Sequence, residues 1–140
     1  MNVRRPGLDD AASIATLVTQ LGYPSAEPQA AARLAALEGH PDIQALVAEQ
    51  DGRIIGFVGL MVFPAFHRDG LHGYITALVV DESVRGSGAG GALLQAAEAW
   101  FAERGVKRVN LTTALRREAA HSFYEKRGYT FTGKRYSKIL

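Results

Sequence analysis

Tyr74-Ile75-Thr76-Ala77-Leu78-Val79-Val80-Asp81-Glu82-Ser83-Val84-Arg85-Gly86-Ser87-Gly88-Ala89-Gly90-Gly91 is the stretch on which the reading of the fold turns. Residues 74–80 are almost wholly apolar and rich in β-branched side chains, as in a strand buried on both faces. Four of the six residues from Gly86 to Gly91 are glycine. A helical pattern then runs from about Gly88 to Arg104, with Leu93, Leu94, Ala97, Trp100 and Phe101 on one face, and Gly105 stops it. The first N–H groups of a helix lack internal partners, and the helix dipole is positive there. Glycines let the backbone approach an anion without a Cβ in the way. Strand, glycine turn and helix together predict a phosphate seat.

Several readings of the turn compete at this point. Gly86-x-Gly88-x-x-Gly91 fits the dinucleotide fingerprint GxGxxG, but the fingerprint should open the fold, and here most of the chain precedes it. The strand predicted at Arg108–Thr113 also lacks the acidic residue that should grip a ribose. GxxxxGK[ST] is absent, so a P-loop is excluded. The dinucleotide reading is thereby disfavoured, and a purely structural turn or a phosphate site of another kind stands beside it.

Upstream, Val3–Arg5 reads as a short strand ended by Pro6-Gly7. Asp9 or Asp10 can cap a helix whose apolar positions are Ile14, Leu17, Val18 and Leu21. A second helix spans Pro28 to Leu37, with proline suited to its first turn. Strands at Ile43–Glu49 and Arg53–Phe63 flank Asp51-Gly52, a strong hairpin signal, and 64–70 reads as a loop. Downstream come a helix at Glu118–Arg127, stopped by Gly128, and two strands near Tyr129–Thr132 and Arg135–Ile139. The result is a mixed α/β fold with a central sheet of six or seven strands, about four helices and one domain over 1–140. The strand-helix-strand unit across the glycines should be a right-handed parallel crossover.

Composition narrows the function. Apolar residues make up 47% and charged residues 21% of the 140, which is ordinary for a globular domain. With no cysteine, disulfides, thiolate metal sites and a cysteine nucleophile are excluded. The formal net charge is +2, and the basic residues form only a modest C-terminal cluster (Arg116, Arg117, Lys126, Arg127, Lys134, Arg135, Lys138). That is not the concentrated stripe of a nucleic-acid binder. No run reaches the 18 or so apolar residues of a membrane span, and no signal-peptide core follows Met1, so no membrane partner and a cytoplasmic location are expected. His67 and His72 lie close in sequence, but no further ligand sits at metal spacing, so no metal is expected.

Arg85-x-x-Gly88-x-Gly90 resembles the acyl-CoA signature [QR]xxGx[GA] of the GNAT superfamily of N-acetyltransferases. Residues 75–81 look like that family's fourth strand, and Ala120 to Tyr129 is similar to its AxxFYxxxGF motif. The opening Arg4-Arg5-Pro6 and the Asp51-Gly52 hairpin also fit, so the resemblance covers essentially the whole chain in order. It implies that acetyl-CoA is the acyl donor, with its pantetheine arm paired to backbone around Leu78, Val79 and Val80 and its pyrophosphate on Arg85, Gly86, Ser87, Gly88, Ala89, Gly90 and Gly91. An amine on a small molecule or peptide would attack directly, without an acyl-enzyme.

The same resemblance gives Tyr124 the role of general acid to the leaving thiolate; the alternative is a core aromatic beside Phe123 and Tyr129. The base is open. A lysine-like amine is only about one part in 2,500 neutral at pH 7, and deprotonating it costs about 4–5 kcal/mol. Where many relatives carry a strand carboxylate this chain has Thr76 and Ala77, leaving His67, His72, Glu82 or ordered water. Tyr23 and Phe66, with His72, are candidates for shaping the acceptor pocket. The terminal strands would offer edges for a homodimer. A catalytically idle acyl-CoA-binding module is the alternative from another functional class.

Overall fold

The computed structural model describes residues 1–113 and 117–140, so Arg116 of the basic cluster lies outside the described residues. The chain divides into two compact units, Met1–Asn110 and Leu111–Leu140. The elements run β1 (Asn2–Arg4), a 3-10 turn at Leu8–Asp10, α1 (Ala11–Leu21), α2 (Glu27–Leu37), β2 (Ile43–Gln50), β3 (Arg53–Ala65) and β4 (Arg68–Val80). A 3-10 turn at Glu82–Val84 leads to α3 (Ala89–Glu103), β5 (Arg108–Leu111) and α4 (Glu118–Glu125). Among the described residues the mixed sheet has five strands in the order β1-β2-β3-β4-β5, with the β1–β2, β2–β3 and β3–β4 pairs antiparallel.

Successive residues of a strand face opposite sides of a sheet, and β3 shows which layer each side meets. A Cβ built on Gly56 would stand 2.8 Å from Leu93 of α3, and one on Gly73 of β4 2.8 Å from the Phe101 ring. These glycines let α3 lie close on one face. On the other, Phe57 and Val79 pack with Ile14 and Leu17 of α1 and Ala30 of α2. Leu93, Leu94, Ala97, Trp100 and Phe101 are all buried, as the helical periodicity predicts. Full burial of a side chain such as Phe101 stabilises by about 1.5–3 kcal/mol.

Asp51 (φ 53°) and Gly52 (φ 75°) form the tight β2–β3 turn expected of an Asp-Gly pair. Asp10 differs from expectation. Its carboxylate accepts from the Gly7 N–H at 2.8 Å and from Arg4 at 2.8 and 3.1 Å, not from the first turn of α1. The Arg4 guanidinium holds the Asp10 carboxyl below the usual carboxylate range. The 64–70 loop also shrinks. β3 and β4 continue to a turn at Phe66 and His67, with Asp69 and Gly70 bulged out of register.

The strand count is lower than expected. Residues 129–140 form no strand, and β5 stops at Leu111. Phe131, Tyr136, Ile139 and Leu140 are strongly exposed. The β-propensity of this tail is real, but a strand is stable only when a neighbour takes its N–H and C=O groups. In the second unit, Tyr124 of α4 contacts the rings of Phe123 and Tyr129, with centroids 5.3 and 5.9 Å away, and Arg127 lies over Phe123 at 3.8 Å.

Candidate active site

β4 delivers the chain to the glycine turn through a braced corner. The Asp81 N–H extends the ladder to the Ile55 carbonyl at 2.8 Å. Its carboxylate accepts from the Ser83 N–H and hydroxyl at 2.9 and 2.8 Å and from Arg53 at 2.9 Å. The Gln20 side chain of α1 accepts from the Glu82 N–H at 3.0 Å. The turn therefore starts from fixed backbone. Bonds from Ser83 and then Arg53 push the Asp81 carboxyl down to about 2. A depressed folded pKa gives stability that is present above the unfolded value near 3.8 and is lost as pH falls toward 2. Asp81→Ala should lower stability by about 1 kcal/mol at pH 7, the usual cost of such a cap. It should also flatten the loss of stability between pH 4 and 2, which acid titration of the thermal midpoint would show.

Gly86 (φ +87°) and Gly88 (φ +90°) adopt left-handed backbone that other residues rarely take. A Cβ on either would meet no atom of the described residues within 4 Å, so among these the surface above the turn is open. The first intrahelical bond of α3 runs from the Ala92 N–H to the Gly88 carbonyl at 3.0 Å. The amides of Gly90 and Gly91 precede it, and the Ala89 N–H has only a long contact to Ser87 Oγ at 3.4 Å. Donors at the positive end of a 15-residue helix, beneath open space, fit a diphosphate.

Two further features of β4 bear on the site. β5 is four residues long and β4 thirteen, so β5 can pair with only part of that edge. Gly59 pairs with Ala77 and Leu60 with Ile75, which leaves Thr76 without a β3 partner, a bulge. Beside it is a cavity of about 320 Å³ walled by α1, α2, β2 and β3, whose lining includes Ile14, Leu34, Phe57, Gly59, Arg33 and Thr76.

Leu78, Val79 and Val80 lie on β4, and Arg85 to Gly91 follow as one run into α3. Tyr23 sits exposed in the α1–α2 loop, and Phe66 stands fully exposed at the β3–β4 turn. His72 is only 5% exposed, stacked on Phe63 and His67 with both centroids at 5.9 Å, and its Nε2 has no hydrogen-bond partner among the described residues. It is absent from the cavity lining, because its register opposite Phe63 puts it toward the turn end of the hairpin. Tyr124 belongs to the second unit, and burial raises its phenol pKa, partly offset by Arg117. Sequence reasoning missed the cavity and Arg33. The signal was a lone cation within the alanine-rich α2.

Residues 11–129 match the acetyltransferase (GNAT) family. The chain is 35% identical over 136 residues to the uncharacterized N-acetyltransferase YhfO of Bacillus subtilis, covering 92% of this chain and 89% of that protein. It is 31% identical over 100 residues to the aminoalkylphosphonate N-acetyltransferase of Salmonella typhimurium, covering 71% and 65% respectively. Among solved structures, a putative acetyltransferase from Agrobacterium tumefaciens superposes with a TM-score of 0.88 at 24% identity over 100% of both chains.

Proposed function

Because the chain belongs to the acetyltransferase (GNAT) family, we propose that it moves the acetyl group of acetyl-CoA directly to a primary amine of a small molecule, with residues 1–140 acting as one domain. The observation that carries this reading is the open seat at the start of α3, reached from a β4 edge that β5 covers only in part. The turn from Gly86 to Gly91, with Arg85, holds the diphosphate through the amides of its glycines, the Ser87 N–H being taken by the Val84 carbonyl at 3.2 Å. β4 backbone around Leu78 to Val80 takes the pantetheine arm as an added strand. Thr76 lies four residues, about 13 Å of extended chain, upstream of Val80. Its bulge leaves backbone and hydroxyl groups able to bond the acetyl oxygen as charge develops.

Acetyl-CoA supplies the thioester: as the amine nitrogen bonds the acetyl carbon, the carbon–sulfur bond breaks and the thiolate needs a proton. Tyr124 supplies it, since burial favours its neutral phenol, and the proton that the amine nitrogen sheds on becoming an amide passes to water, from which the phenolate is reprotonated. Tyr23, whose carbonyl accepts from Ser25 of the cavity lining, borders the acceptor side, whereas Phe66 and His72 lie beyond the cavity toward the β3–β4 turn. A small-molecule acceptor is favoured over a protein because the cavity is of small-ligand size, and because the Salmonella relative is named for a small amine.

Acetyl-CoA with an amine panel should release free thiol in proportion to acetylated amine. CoA at a hundred times its Kd should stabilise the fold by about 2.7 kcal/mol, and NAD should not. Stabilisation by NAD alone, or CoA binding with no amine consumed, would overturn the reading.

A further inference from the structure

Resting on that transfer reading, we propose that the acceptor is a small aliphatic amine with an anionic group at its far end, and that Arg33 binds the anion. The cavity beside Thr76 is walled by Ile14 and Val18 of α1, Leu34 and Leu37 of α2, and Ile43 and Leu60 of the sheet. At about 320 Å³ it lies at the small end of the range for ligand pockets. Such walls take hydrocarbon and discriminate against a polar body, whose hydrogen bonds they cannot replace.

Among the described residues of that lining, Arg33 is the charged one. Its guanidinium donates to Ser25 Oγ at 3.1 Å, a neutral partner, and among the described residues no carboxylate lies within ion-pair distance of it. The loop beneath is ordered. Ser25 Oγ donates to the Tyr23 carbonyl at 3.0 Å, the Ser25 N–H bonds Thr19 Oγ1 at 3.0 Å, and Gln29 accepts from the Ala26 N–H at 2.8 Å. A planar fork of N–H donors, held at the edge of an apolar pocket with its charge uncompensated, suits a carboxylate, phosphonate or phosphate.

Arg33 stands on the helical wall and Thr76 on the sheet wall, so a ligand whose anion meets Arg33 directs its other end toward β4. The bare backbone of Gly59 makes room for Thr76 in that floor. A Cβ there would collide with Thr76 Oγ1, so the hydroxyl occupies the space a side chain would fill. A diamine would set a second cation against Arg33 and is disfavoured.

The test has two arms on the full chain. In the turnover arm, 6-aminohexanoate and 6-aminohexylphosphonate are compared with hexylamine and 1,6-diaminohexane. The wild-type kcat/KM should favour the anionic amines by about ten- to a hundredfold, the value of a charge-assisted hydrogen bond. Arg33→Gln should collapse that ratio toward one, and Arg33→Lys should retain part of it. The thermal midpoint should hold, because Arg33 is exposed. In the binding arm, hexanoate and hexylphosphonate are titrated against hexanol without CoA, and the preference for the anions should vanish in Arg33→Gln. The relative strength of carboxylate and phosphonate identifies the anion. A wild-type preference for the diamine, or an anion preference that survives Arg33→Gln, would overturn the proposal. Arg33-dependent hexanoate binding with no amine acetylated would instead retain the anion site and remove the transfer reading.

Discussion

Gly88→Val should raise the KM for acetyl-CoA by about thirtyfold or more, the loss of one or two hydrogen bonds to a charged group. Two effects combine. Gly88 sits at φ +90°, where a β-branched residue is a genuine outlier, so the turn must rearrange at a cost of about 1–2 kcal/mol. The new side chain would also point into the open space that the diphosphate is proposed to fill. Strain alone would lower the thermal midpoint by about 3–4 °C per kcal/mol. Gly105, beyond the other end of α3 at φ +74°, separates the two effects. Gly105→Ala carries similar strain far from the diphosphate and should lower the midpoint while leaving the acetyl-CoA KM in place. Steady-state kinetics with a thermal melt on each variant makes the comparison, and a folded Gly88→Val protein with wild-type KM would remove the diphosphate from this turn.

Tyr124→Phe should lower kcat by about a hundredfold or more, the usual contribution of a positioned general acid, with acetyl-CoA affinity held within about twofold. The substitution deletes one hydroxyl and keeps the ring between Phe123 and Tyr129, so a packing role alone would leave kcat standing. Burial raises the phenol pKa above its ordinary value near 10. The acid form therefore persists through neutral pH, and loss of rate from its ionisation belongs above pH 10. Single-turnover measurement of the acetylated amine isolates the chemical step. An undiminished rate would leave Tyr124 as a core aromatic.

Much of the fold was legible because its signals are local. The apolar face of α3 shows as a 3.6-residue period, and the Asp51-Gly52 turn follows from two residues that tolerate positive φ. Other expectations failed where a local signal needed a distant partner. Residues 129–140 have strand composition but no ladder, and the loop expected at 64–70 is strand on both sides of a short turn. His72 read as a pocket residue because its chemistry is visible in the sequence, whereas its burial against Phe63 depends on β3 register.

The order of a buried strand, a glycine turn and a helix was determined by the sequence alone, and with it the place where a diphosphate is proposed to sit. Its physical basis is short-range: backbone angles only glycine adopts readily, and amides left free at a helix start. Tertiary structure alone decided the Thr76 bulge, the corner braced by Gln20 and Arg53, and the cavity that sets Arg33 across from β4. Each depends on residues tens of positions apart meeting in one register, and periodicity along a single segment carries no record of that meeting.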